Sequence, residues 1–355
     1  MAKNENVTIW MCLGIIFVVL GHKGGINLFT DWFPYYSFHM PFFIFLAGYL
    51  FKEKYILTIK EYIVKKFNHL MLPYYKWNLF YGLLATALLS IGFVKFMSPL
   101  SFYNYFIMPF VNGHQFGLNV AAWFVPQLFA VQVVYIFFAK LVSLSKFKYK
   151  QYIGLMILLA IGILGVWLVN HKFIHNHFDV FLFRTMFFLP FFHIGWMYKN
   201  IWEEKDTLAS VWYFLIIFVV QYFLIKHYKN ITFVAIGSNY PPKVMLPFIT
   251  SITGIAFWLR IGRLLTPVMI KSNIVKYIGD NTWTVMMHHQ FIFFLINTAI
   301  YLSLPLTHIK RFNIMTFKQN MWYACGPWQF LLFYSIAGIA IPLLIQWLYE
   351  TKLKK

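Results

Sequence analysis

Apolar runs of about 16–22 residues, each closed by a short polar or basic segment, recur along the whole length of this chain. At 1.5 Å of rise per residue, a helical run of that size crosses a hydrocarbon layer ~30 Å thick. Ten spans are predicted, with ends good to a few residues: 7–24, 36–51, 70–91, 121–142, 152–170, 180–198, 209–226, 244–260, 279–304 and 328–348. The expected fold class is all-α, a polytopic membrane helical bundle. No low-complexity linker splits the 355 residues into separate domains, and no internal repeat is evident.

Composition agrees with that pattern. The chain is 61% hydrophobic, 22% aromatic and only 11% charged, whereas a soluble domain carries roughly 25% charged residues. Charge also orients the bundle. Alternating the loops puts eighteen basic residues on the side of both termini, among them Lys52, Lys65, Lys66, Lys150, Arg260 and Arg263. Nine fall on the other side, and Lys76, Lys140 and Arg184 lie inside spans. The two-to-one excess predicts that both termini are cytoplasmic. The formal charge of +20 does not indicate nucleic acid: the basic residues are scattered over short loops, where topology and anionic lipid account for them. The first span lacks a basic amino-terminal cluster and a small-residue cleavage site, so it is expected to stay as a helix.

Two cysteines do not make a framework. Cys12 falls in the inner half of the first span and Cys325 in an outer loop, so no disulfide is expected between them. Cys12 also precedes His22 by ten residues, about 15 Å along a helix, which excludes a local thiol–imidazole pair. The basic segment 52–69 is expected along the inner surface. Outer loops 92–120, 227–243 and 305–327, rich in aromatics, Pro, Gly and Asn, are candidates to lid an outward-facing pocket.

Polar groups at membrane depth are expensive and mark candidate chemistry. His22 ends the first apolar run and His39 opens the second, with Pro41 tolerated in its first turn. Arg184 sits about one turn into the sixth span, Trp123 and Gln127 open the fourth, and His288 and His289 lie along the ninth, at matching depth if that helix starts near Ile274. Five segments thus send polar groups toward one level. Each also has a plainer reading: a hydrogen-bonded structural histidine, an arginine snorkelling to headgroups, an interfacial tryptophan, or one of two adjacent histidines facing packing. His171, His175 and His177, with Asp179, have a spacing compatible with a metal, but an exposed polar loop is the favoured reading and no metal is assigned. Asp31, Asp179 and Asp280 are loop or span-edge groups, and acidic residues are absent from span centres, which argues against a coupled pump.

The segments FVVLGH, YYSFHMPFFIFLAGYLF, KKFNHLMLPYY, WFVPQLF, RTMFFLPFFHIGWMYKN and IGDNTWTVMMHHQF follow in an order and spacing that resembles the acyltransferase family 3 membrane proteins. They look most like its fucose 4-O-acetylase-related branch, and the resemblance covers nearly the whole chain. It implies an enzyme of about ten helices that moves acyl groups, commonly acetyl from acetyl-CoA, onto cell-surface sugars, with His22 as the essential histidine of the first helix. Two positions depart from the family pattern. Met11 stands where an arginine often lies eleven positions before that histidine, and His69 where arginine is common before the LxPY element. Both weaken donor-phosphate contacts at those sites.

Acetyl transfer from a thioester to a sugar hydroxyl needs a base, charge stabilisation and exclusion of water. Neutral imidazole suits the first, so His22 is the expected general base, with His39 orienting it or touching substrate. Arg184, or the N–H groups of helix ends, would meet the developing negative charge. Trp123, Gln127, His288 and His289 are candidate substrate contacts. Acyl-CoA would lay its phosphates on inner-face cations (Lys65, Lys66, Arg260 and Arg263) and reach through the bundle; the acceptor would be a carbohydrate or lipid-linked glycan. Direct transfer and an acetyl-histidine relay are both open. The alternative is a transporter or flippase for a lipid-linked sugar, using the same cavity without covalent chemistry.

Overall fold

A computed structural model describes residues 4–23, 32–111, 113, 115–307, 309, 311–326 and 328–353. Among these residues thirteen α-helices follow in order. They are α1 (Glu5–Lys23), α2 (His39–Tyr49), α3 (Ile59–Lys66), α4 (Leu72–Ser90), α5 (Phe124–Leu144), α6 (Lys150–Asn170), α7 (His177–Met197), α8 (Ser210–His227), α9 (Leu246–Met269), α10 (Asn273–Asp280), α11 (Thr282–Thr307), α12 (Ile314–Gln319) and α13 (Trp328–Leu348). An isolated antiparallel bridge joins Val234 to Asn239.

Eight of the helices are long and apolar enough to cross a membrane, and they coincide with eight of the ten expected spans. The other two expected spans meet shorter or more polar helices. For 36–51 the helix is α2, of 11 residues, preceded by a 3-10 turn at Tyr35–Ser37. For 70–91 it is α4, whose first half carries Lys76 and Asn78.

One local expectation changes and another gains detail. The ninth span does not run on from near Ile274: α10 stops at Asp280, and Asn281 donates its side-chain amide to Tyr277 O at 2.9 Å, closing that helix before α11 starts. The segment 52–69 is mostly exposed, with Tyr55 and Tyr62 buried. α3 continues through a π-helical turn, Phe67–Met71, directly into α4.

Packing places α1 at the centre, in contact with α2, α9, α10, α11 and α13. Glycine permits the closest crossings. A Cβ on Gly48 of α2 would lie 1.9 Å from Phe192 O, and one on Gly195 of α7 would lie 2.0 Å from Phe45 O. Only bare backbone fits there, the usual device where helices meet in lipid. Around this pair aromatic side chains fill the core, with Phe17 against Phe38 and Trp258 and Phe187 against Phe191 and Phe248. Peripheral α6, α8 and α13 expose large apolar side chains such as Met156, Val211, Ile216 and Ile345, which is the surface a bilayer covers.

Candidate active site

One stripe of α1, Val7, Met11, Ile15, Val18 and His22, faces a cavity of about 670 Å³. Steps of three and four residues keep these side chains on one helical face, and Val7 to His22 spans about 23 Å. The cavity therefore follows most of α1. Its ends are polar and its middle is apolar. Asn4, Thr8, His69 and Asp280 line one end; His22, His39 and Trp322 line the other. The size lies within the range of small-molecule sites.

At the His22 end, hydrogen bonds fix which nitrogen holds which proton. His289 Nδ1 lies 2.8 Å from Val285 O, one turn back along α11. A carbonyl only accepts, so Nδ1 carries the proton and neutral His289 keeps a lone pair at Nε2. That Nε2 is 2.8 Å from His22 Nδ1. His22 Nδ1–H is thus the donor, and the lone pair of His22 rests on its Nε2. This tautomer is assigned from the hydrogen-bond network. His39 Nδ1 likewise donates to Tyr35 O at 2.5 Å, which leaves its Nε2 as an acceptor on the same cavity wall. The expected orienting role therefore moves from His39 to His289, the residue that bonds His22.

Arg184 is fully buried, which rules out snorkelling to headgroups. Its Nε donates to Gln127 Oε1 and its Nη1 to Ile236 O, both at 2.5 Å, and its Cζ lies over the Trp123 ring, 4.6 Å from the centroid. Gln127 in turn donates to Thr185 Oγ1 at 2.7 Å. Trp123 and Ile236 line the cavity while Arg184 and Gln127 do not, so the arginine stands behind the wall it supports. His288 is also off the cavity, 2.6 Å from the Tyr81 hydroxyl and edge-on to Trp77. Of the expected substrate contacts, Trp123 alone reaches the wall; His289 touches it through His22.

Candidate donor contacts divide. Arg260 bonds Asp206 at 2.5 Å and Leu208 O at 3.0 Å, and Arg263 bonds Asp206 and Glu203 at 2.9 and 3.2 Å. Both are held inside an ion-pair cluster and neither lines the cavity. Lys65 is exposed and donates to the Tyr55 hydroxyl at 2.9 Å, a bond that holds its ammonium above the usual lysine value. Lys66 lies over the Tyr62 ring, and burial pushes its ammonium down to about 8. Lys65 shares a shallow groove with Lys60 and His69, and His69 also lines the main cavity. Met11, at the position where relatives of the resembled family often carry arginine, presents an apolar thioether to the cavity.

The loop histidines do not gather. His171 Nδ1 donates to Trp167 O, and Asp179 is occupied by the backbone N–H groups of His175 and Asn176 in a capping box. The side chain of His177 and residue Asp31 lie outside the described residues, and among those described no group of three His, Cys, Asp or Glu is placed to hold a metal. Cys12 and Cys325 are both free and buried.

Sequence reasoning missed Trp322, whose ring lies nearly parallel to His22 at 5.6 Å. No local signal marks it, because it comes from the loop between α12 and α13. It also missed Lys23 and Asn297, which both donate to the carbonyl of the next residue, Tyr323.

No curated protein matches the chain, and no solved structure does. A family model, described as an acyltransferase domain, matches residues 8–347. That stretch contains all the residues that line the cavity except Asn4 and Val7, and the chain belongs to the acyltransferase 3 family of membrane enzymes.

Proposed function

We propose that this acyltransferase moves an acetyl or similar short acyl group from acyl-CoA to a hydroxyl of a cell-surface or lipid-linked sugar, with His22 as general base. The observation that carries the proposal is the hydrogen-bond chain Val285 O, His289, His22, which leaves a proton-accepting nitrogen at one end of a cavity about as long as α1. The fucose 4-O-acetylase-related branch remains the reading of the acceptor that the sequence motifs favour. Membership of an acyltransferase family decides against a carrier without covalent chemistry.

In this mechanism the donor thioester enters from the Asn4 end, which the charge bias assigns to the cytoplasm. The acceptor meets it at the His22 end. His22 Nε2 takes the hydroxyl proton while the oxygen attacks the thioester carbonyl carbon. The imidazolium then sits beside the tetrahedral oxyanion, in a pocket whose apolar walls strengthen that attraction. Collapse breaks the C–S bond, and His22 Nε2–H protonates the departing thiolate, giving the ester and free CoA. His289 Nε2 accepts the hydrogen bond from His22 Nδ1–H throughout and holds the ring in register. Arg184 supports Trp123 and the Ile236 segment rather than touching the reacting atoms. Lys65 and His69, at the groove that adjoins the Asn4 end, are better placed for the anionic end of the donor than the ion-paired Arg260 and Arg263.

Purified protein supplied with acetyl-CoA and a methyl hexopyranoside is expected to release free CoA in an acceptor-dependent manner. CoA release in a burst without acceptor would instead select an acyl-histidine intermediate at the same nitrogen. Binding of both compounds with no thiol release under any condition would remove the proposal.

A further inference from the structure

Trp322 is 42% exposed and yet lines the cavity, so it forms the border between the His22 end and the outside. Its plane is 19° from that of His22 with 5.6 Å between ring centroids, so the two rings are stacked, one face of the indole toward the imidazole. The strap that carries it is pinned at the next residue. Tyr323 O accepts from Lys23 Nζ at 3.2 Å and from Asn297 Nδ2 at 2.9 Å, and the Tyr323 hydroxyl accepts from Asn313 N at 2.7 Å. Two further bonds brace it: Tyr334 donates its hydroxyl to Asn297 Oδ1 at 2.5 Å and accepts from Cys325 N at 3.1 Å. Lys23 Nζ lies 4.3 Å from the Phe293 ring and 4.6 Å from Tyr334, an aromatic cage that holds the cation in place. So many fixed partners would be excessive for a loose loop. They set the height and angle of one indole beside one imidazole.

We infer that Trp322 is the platform for the acceptor and that the acceptor is a ring sugar, recognised by the apolar face of its pyranose against the indole. This rests on the proposed function and narrows it. A pyranose is flat, with C–H bonds on its faces and hydroxyls on its rim. Laid on Trp322, it directs rim hydroxyls past the indole edge toward His22 Nε2. An acyclic polyol has the same hydroxyls but no such face, and the platform gives it no advantage. Lys23, Asn297 and Tyr334 are positioning residues, acting through the strap.

The test compares methyl hexopyranosides with sorbitol as acceptors, acetyl-CoA as donor, and release of free CoA as the readout. The wild-type protein is expected to prefer the pyranosides. Trp322→Ala is expected to raise the pyranoside KM about tenfold, bringing the two acceptor classes together while leaving the KM of acetyl-CoA in place. Trp322→Phe, which keeps a smaller aromatic face, should retain part of the preference, and this variant separates recognition from folding. An undiminished preference in Trp322→Ala would overturn the platform, as would equal use of pyranosides and sorbitol by the wild type. Failure of the wild type to transfer to either acceptor class would count against the proposed function and the platform together.

Discussion

His288 and His289 are neighbours in the chain, about 100° apart on α11, and they belong to two different environments. His289 faces α1, fully buried, with one nitrogen on Val285 O and the other on His22. His288 faces α4, where the Tyr81 hydroxyl and the Trp77 ring satisfy it. Two identical side chains are thus sorted by what they touch. On one face of α11 an imidazole sets the tautomer of a second imidazole beside a cavity. On the other it ties two helices together. The lesson is that residue type at membrane depth nominates a site, and the hydrogen-bond partner decides it.

Substitutions on the two faces sharpen the contrast. The largest effect among them is expected at His289. His289→Ala removes the acceptor for His22 Nδ1–H, so the ring loses its register and kcat falls by about 10²-fold. His289→Gln should recover part of that, because an amide oxygen can accept the same proton; equal loss in both variants would show that the hydrogen bond is not what matters. Next comes Arg184. Its planar group bonds Gln127 and Ile236 O while lying on Trp123, so both Arg184→Gln and Arg184→Lys should lower activity about tenfold, since an ammonium cannot reproduce the fork or the stack. An active Arg184→Lys protein would show that charge alone suffices.

Smaller effects are expected away from the cavity. Arg263→Gln breaks a half-buried pair with Asp206 and Glu203, which should cost about 1–2 kcal/mol of stability, seen as a lower Tm. The KM of acetyl-CoA should not move; a large rise would return Arg263 to the donor site. His288→Phe keeps an aromatic ring and loses the bond to Tyr81, so kcat should stay within about twofold of wild type. A drop as deep as that of His289→Ala would erase the distinction between the two faces.

Much of the fold was legible because lipid imposes a length on every span. The eight long helices match the apolar runs for that reason. The breaks were less visible. Asn281 ends α10 through one side-chain bond to Tyr277 O, and nothing in the surrounding apolar pattern announces it. Burial was not visible either. α1 and α8 read alike as apolar runs, yet 67% of the apolar stretch of α1 is buried within the protein against 17% for α8. Hydropathy reports that a segment avoids water, not whether lipid or protein covers it.

The site was read in part. His22, His39 and Trp123 reached the cavity, since ionisable or amphipathic groups at one depth tend to converge. Arg184 was found but misplaced by one layer, because depth along an axis says nothing of direction around it. Arg260 and Arg263 could not be judged from spacing at all: Asp206 and Glu203, which hold them, lie more than fifty residues earlier in the chain. Trp322 gave no signal, since its position depends on how Lys23 and Asn297 anchor a distant loop.

The most direct measurement is acceptor-dependent release of CoA by His22→Ala, made on protein whose thermal unfolding and topology match the wild type. With no lone pair at the end of the His289 chain, transfer should fall to the background set by acetyl-CoA hydrolysis. Turnover within a few-fold of wild type would contradict the account, because the acceptor would then be losing its proton to some other group.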